Sequence, residues 1–446
     1  MATTALNSAD APNEVAVKAA PSPSQARDAG FLMLALVVAM TIAFIDRQLL
    51  NLLVDPIRKD VGITDAQFSL LQGASFSIIY VFAMLPIAWA SDHFNRKYIL
   101  IFSIAAWSLM TVAFGLAGGF LGLLAARACV AIGEAGSTPA SVSMLRDAYP
   151  KHRQAAAVSA LTVGTYLGGG ISLSVGGPAL DWLSKMKLHS GLPGGLAPWR
   201  LLFCGAGALG LVAIALLLFI REPGRTAPRN ALASWREYLR LLKIERARAV
   251  AFLCAFIGIV GMSTAAPAWL PALFMRRHGW SAHTAGLAFG MTHLVFGIVG
   301  ALGAGWLVDR LTARGRAMAH VTILRWGVLA IGVGGALSAI LPDAGVALAF
   351  SCLGQLGVGA CLALGALGFQ AMFPMRFSGR GVATYLLATN IFGAAVGPTA
   401  VPLVAGLLHD PKAIGPALMI WTSLAAVWSL GWLLRLGQVS AGGAAS

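Results

Sequence analysis

Apolar runs of about twenty residues recur from one end of this chain to the other, and that spacing decides what it can fold into. A helix rises about 1.5 Å per residue, so each run matches a hydrocarbon layer about 30 Å thick. Runs of this kind fall near 29–54, 66–90, 98–118, 121–145, 154–180, 199–220, 248–274, 282–307, 318–341, 345–372, 381–408 and 413–435. Lipid offers no partner to an unpaired backbone amide, so the runs must be helices. Charge content agrees: 58% of the 446 residues are hydrophobic and 11% are charged. A soluble domain carries about 25% charged residues. The expected fold is an all-α membrane protein of twelve transmembrane helices, in contact with the bilayer over most of its surface.

The net charge of +15 does not point to nucleic acid, because the basic residues sit in short connections between apolar runs. One set of connections holds most of them; the sixth-to-seventh alone carries Arg221, Arg225, Arg229, Arg236, Arg240, Lys243, Arg246 and Arg248. The opposite set holds Arg58, Lys59, Lys185, Lys187, Arg200, Arg276, Arg277 and Lys412. Positive charge stays inside, so both termini are expected in the cytoplasm and the chain in the plasma (inner) membrane. The five cysteines all fall in apolar runs without CxxC spacing, which reads as buried free thiols, with no metal and no disulfide. Residues 1–28 are rich in Ala, Ser and Pro and read as a disordered cytoplasmic tail.

The sixth-to-seventh connection divides the chain into two sets of six: a first bundle over 29–221, a linker over 222–247 and a second bundle over 248–435, with a tail at 436–446. Within the linker, "SWREYLRLLKIERAR" sets Trp235, Leu239 and Leu242 on one helical face and Arg236, Arg240 and Lys243 on another. That pattern suits either a helix lying on the membrane surface or a solvated linker helix. The halves echo each other: "AWASDHFNRK" follows the second span and "GWLVDRLTARGR" the eighth. Parallel six-helix repeats are the mark of transporters that rock two bundles about a midplane site.

Five charges lie inside the spans. "AFIDRQLLNLL" carries Asp46 and Arg47, "RACVAIGE" carries Arg127 and Glu134, and Arg325 sits near the start of the ninth span. Each costs about 2.5–3.5 kcal/mol at the membrane centre on insertion scales. Arg325 is close enough to the interface to snorkel. Arg127 and Glu134 share one face of the fourth span, about 10 Å apart. Asp46 and Arg47 diverge by about 100° around the first, so that one can face the fourth span and the other the cavity. Antiparallel running puts Asp46 level with Arg127 and Glu134 nearer the cytoplasm. Burial favours the neutral form of a carboxylate and a neighbouring guanidinium favours the ionised one. Asp46 and Glu134 are therefore the expected proton-coupling pair. Arginine keeps its charge, so Arg47 and Arg127 suit a counter-charge or the anionic group of a solute. Tyr80, Tyr166, Trp269, His293, Tyr385 and Asn390 are candidate cavity-lining residues.

At these connections the chain resembles the major facilitator superfamily. Asp92, Arg96 and Lys97 match its loop pattern in the first half, and Gly305, Leu307, Asp309 and Arg310 in the second; Ala88 and Asn95 replace glycines. The resemblance implies a gating latch formed by Asp92, Arg96, Lys97, Asp309 and Arg310. "IGEAGSTPASVSML" and "PAWLPALFMRRHGWSAHTAGLAFG" are similar to the Spinster-like branch, whose animal members export lysolipids and sphingoid phosphates. The "DR" of the first span and "GEA" of the fourth also resemble the anion:cation symporters, which take up organic anions with protons.

The sequence shows no nucleophile–base arrangement, no paired catalytic carboxylates and no phosphate loop, and so no enzyme or cofactor is expected. The expected activity is alternating-access secondary transport, coupled to protons, of an anionic or amphipathic organic solute by a monomer. The competing readings are a Spinster-type lysolipid or sphingoid-lipid exporter or flippase with weak proton coupling, and a membrane sensor that does not transport.

Overall fold

The computed structural model describes residues 23–190, 195–225, 235–316, 318–374, 377–410 and 413–442. Among them, twelve helices are long and apolar enough to span a bilayer. They are α1 (Arg27–Leu52), α2 (Asp65–Ser91), α3 (Arg96–Leu116), α4 (Phe120–Ala148), α5 (Ala156–Lys187), α6 (Pro198–Leu218), α7 (Arg246–His278), α8 (Ala282–Ala313), α9 (Ala319–Ile340), α10 (Ala344–Gln370), α11 (Arg380–Leu407) and α12 (Ile414–Val439). Most of the tail read at 1–28 lies outside the described residues.

Each half forms a bundle through close pairs: α1 on α5 and α3 on α6 in the first, and α7 on α12 and α9 on α10 in the second. Glycine makes the α1–α5 approach possible. A Cβ at Gly168 would run into the Thr41 carbonyl, and one at Gly164 into that of Val37. Helices in lipid gain little from hydrophobic association, so close backbone contact is what holds them.

The halves touch chiefly through α5 with α8, α2 with α11 and α1 with α7. Gly177 faces the Ala282 carbonyl and Gly286 faces that of Leu173, so α5 and α8 meet backbone to backbone. Two helices at this seam each contain a π-turn, Thr292–Phe296 in α8 and Asn390–Ala394 in α11. Both π-turns lie against the first half, on α5 and α2 respectively.

The linker contains the helix Trp235–Ile244. Its anchor differs from the expected Trp235–Leu239–Leu242 face. Tyr238 is fully buried against Phe373 and Phe377, and its hydroxyl meets Thr384 Oγ1 at 2.9 Å. Leu242 packs beside it, Leu239 is exposed, and the Trp235 side chain lies outside the described residues. Tyr238 amid the charged residues Arg236, Glu237 and Arg240 gives no apolar period of its own; its partners come from the α10–α11 connection and α11.

Filling the α1–α5 contact should therefore be costly. Gly168→Leu is expected to lower the thermal unfolding midpoint in detergent by several degrees, since overpacking costs about 1–3 kcal/mol. Gly205→Leu, where a Cβ meets nothing within 4 Å, should leave the midpoint in place.

A buried charge cluster as candidate functional site

Asp46 and Arg47 stand on α1 where it crosses α4, and both turn toward it. Arg47 Nε donates to Glu134 Oε2 at 2.6 Å, and its Nη2 meets the same oxygen. One turn or two away in depth, Arg127 Nη1 lies 3.9 Å from Asp46 Oδ2. That oxygen also accepts the Thr111 hydroxyl of α3 at 2.8 Å. Four charges thus form two crossed pairs, and the idea that one α1 charge faces α4 while the other turns to a cavity gives way to a shared arrangement. Arg47 does both: its side chain keeps 26% of its surface accessible, against 1% for Glu134.

Aromatic rings complete the setting. The Arg47 guanidinium lies 4.3 Å from the centre of the Phe76 ring, 4.8 Å from Phe44 and 5.3 Å from Tyr80. Arg127 lies 4.8 Å from Phe76 and donates to the Leu71 carbonyl at 3.3 Å. Ring faces attract guanidinium groups by about 0.5–2 kcal/mol, more as water is excluded. The carboxylates are less well served. Asp46 Oδ1 and Glu134 Oε1 are buried and have no hydrogen-bond partner among the described residues.

The local sequence explains why Glu134 sits where it does. In "GEAGSTP" the α4 segment Phe120–Glu134 ends at Glu134 and a second begins at Ser137. Pro139 has no amide hydrogen for the turn before it. Gly136 lies against Ser103 and Ile87, where any Cβ would clash. Glu134 therefore occupies a helix end, beside loosened backbone.

The other expected residues separate. Tyr80 joins the Arg47 setting. Tyr166 and His293 face each other across the halves, with ring centres 5.3 Å apart. Trp269, expected at a cavity wall, is instead fully buried, its Nε1 donating to the Pro398 carbonyl at 2.9 Å. Tyr385 is likewise packed into the second bundle against Phe256 and Phe369. The apolar seams of α7 and α11 claim these rings. Asn390 spends its amide on the Leu386 carbonyl at the start of the α11 π-turn. Arg325 reaches the Leu433 carbonyl of α12 at 3.0 Å.

Among the described side chains, the latch residues are not drawn together across the halves. Arg96 is buried and ties α3 to Asp147 at 2.5 Å and to Glu222 at 2.9 Å, all near the first bundle. Lys97 donates to the Leu218 carbonyl at 2.8 Å. Asp309 and Arg310 are exposed, Arg310 lying over Trp306 at 5.1 Å. Asp92 follows α2 directly, and its side chain lies outside the described residues.

A clamp at the opposite end was missed by sequence reasoning. Arg276 of α7 meets Asp55 at 2.7 Å and Asp65 at 2.9 Å, and Arg58 pairs with Asp65 at 3.1 Å. Gln72 donates to the Ala268 carbonyl nearby, and the His283 amide to Asp181. These contacts between the halves lie at the α1–α2 connection end. The available signal was Asp55 and Asp65 flanking a connection that otherwise counts only as two basic residues.

The arrangement matches a known family. The model of the Major Facilitator Superfamily matches residues 36–398. The chain belongs to that superfamily of membrane transporters, so this is an integral membrane protein and not an enzyme. It is 26% identical over 85% of its length to an MFS-type efflux pump of Mycolicibacterium smegmatis, covering 86% of that protein. It is 25% identical over 90% of its length to a D-galactonate transporter of Escherichia coli, covering 94% of that protein. A bacterial homolog of the human lysosomal transporter Spinster, solved inward-facing and unoccupied, superposes with a TM-score of 0.72 at 26% identity; the match covers 95% of this chain and 96% of that one. The family match runs from α1 into α11, and the likeness to the Spinster homolog extends over both bundles.

Removing the clamp should loosen the end it closes. Arg276→Ala is expected to raise several-fold the rate at which a cysteine placed at Gln72 reacts with a water-soluble maleimide. An unchanged rate would mean that glycine packing alone closes the seam.

Proposed function

We propose that this protein is a proton-coupled secondary transporter that moves an anionic or amphipathic organic solute by alternating access. The observation that carries the reading is the pair of buried carboxylates, each held by a guanidinium and each with one oxygen left unpartnered. Static helix–helix adhesion does not need this arrangement, because small-residue packing does it at lower cost.

The coupling follows from Arg47. It is the accessible member of the cluster, and a planar guanidinium binds carboxylate or phosphate through two parallel hydrogen bonds. An anionic solute that takes Arg47 leaves Glu134 without its counter-charge. A buried, unpaired carboxylate is costly, and accepting a proton removes that cost. Solute anion and proton then enter together, and the charge of the pair stays constant. Asp46, held by Arg127 and Thr111, relays or tunes the same step. With both ends in the cytoplasm, the closed α1–α2 end would face outward, as an inward-facing state requires. Each proton moving down the membrane potential contributes about 2.3 kcal/mol per 100 mV.

In proteoliposomes carrying an imposed proton gradient, Asp46→Asn and Glu134→Gln are expected to abolish uphill accumulation while leaving solute exchange measurable. Accumulation that survives both substitutions removes the coupling assignment.

A lipid-exporter reading is favoured by the likeness to the bacterial Spinster homolog along the chain. It predicts stabilisation by lysolipid and none by organic anions in a thermal-shift screen; apparent stability rises as ln(1 + [L]/Kd), so binding is read directly.

A further inference from the structure

A second group of polar side chains converges between the halves, apart from the charges of α1 and α4. A cavity of about 40 Å³ lies where α1, α8 and α10 meet, lined by Gln48 from the first half and by Thr292, His293, Ser351 and Gln355 from the second. Its volume suits a few waters or the end of a small solute. Leu173 and Phe289 supply apolar walls. The α8 π-turn Thr292–Phe296 places Thr292 and His293 at the cavity.

The hydrogen-bonding capacity here is only partly used. The Gln355 amide nitrogen lies 3.2 Å from His293 Nδ1, which makes Nδ1 the acceptor and leaves the ring proton on Nε2. Nε2 lies against Gly169, where a Cβ would displace it, and has no hydrogen-bond partner among the described residues. Gln48 accepts from Asn51 through its carbonyl oxygen, leaving its NH₂ group unspent. Gln355 likewise keeps its carbonyl oxygen. These donors and acceptors open onto one cavity with no protein partner among the described residues, which is the arrangement of a site whose few placed polar groups orient an occupant. No lysine, arginine or carboxylate lines the cavity, so the complement is an uncharged group with both donor and acceptor capacity. A hydroxyl has both.

Resting on the transporter reading above, we propose that Gln48, His293 and Gln355 form a recognition pocket for an uncharged, hydroxyl-bearing part of the solute, whose anionic part is held at Arg47. Gln48 follows Arg47 directly on α1, with Cα atoms about 3.8 Å apart, so the two sites are near enough for one solute to span both. A pocket built to hydrogen-bond a hydroxyl rejects the analogue that lacks it, because its own polar atoms are then left unpaired.

The test uses matched six-carbon acids on the purified full chain. D-Galactonate and D-gluconate carry hydroxyls along the chain, and hexanoate carries none. Titration calorimetry should show at least one of the hydroxylated acids binding tenfold or more tightly than hexanoate. Gln355→Leu and His293→Phe should bring that ratio close to one, and His293→Gln, which retains an N–H, should restore part of it. Equal binding of all three acids by the native chain overturns the proposal, as does a ratio unchanged in Gln355→Leu. Lysolipid binding with no acid binding overturns it as well. If the ratio fails yet acid binding still disappears in Arg47→Ala, the pocket falls while the anionic-solute reading stands.

Discussion

A charge at the centre of a bilayer costs about 2.5–3.5 kcal/mol on insertion scales, and four of them face one another between α1 and α4. Two crossed ion pairs, the Thr111 hydroxyl and three aromatic rings offset much of that cost. The offset is incomplete, because one oxygen of each carboxylate stays unpartnered. The rest of the first bundle is arranged around keeping this cluster dry yet reachable at Arg47. Glycines on α5 let α1 lie close enough to present its charges, and the break after Glu134 gives α4 a helix end at that depth.

Rocking requires that the halves be joined by contacts able to break as units. The seam here is of two kinds. Backbone-to-backbone glycine packing between α5 and α8 presents a smooth surface held at its end by the His283 amide on Asp181, whereas Arg276 with Asp55 and Asp65 makes a discrete charged closure. Exposed or partly exposed pairs are individually weak, about 0–1 kcal/mol. A three-residue clamp of that strength suits a gate that opens on each cycle. The buried cluster is the opposite case: removing one partner costs about 3–5 kcal/mol, enough for an exchange of partners to bias the two states.

Much of this was legible in the sequence because the membrane allows few solutions. Hydrophobic run length fixed the twelve spans, and Asp46, Arg47, Arg127 and Glu134 stood out because charge in such runs is rare. What the sequence could not place were residues whose role depends on distant contacts. Trp269 and Tyr385 look like cavity rings in a linear reading but face their own bundle. Asp55 and Arg276 are far apart in the chain and read as ordinary loop charges. Gln48, Gln355 and Ser351 carry no charge to attract notice, and only the meeting of α1, α8 and α10 around one cavity brings them together.

The central claim is that an anion at Arg47 transfers the burden of neutralising Glu134 to a proton. Infrared difference spectroscopy on the purified protein tests this directly, using as ligand whichever of D-galactonate or a lysolipid raises its thermal stability. The account predicts that ligand addition produces the carbonyl band of a protonated carboxylic acid, and that the band disappears in Glu134→Gln. Binding that leaves the carboxyl region unchanged in the native chain, or a band that persists in Glu134→Gln, would contradict it.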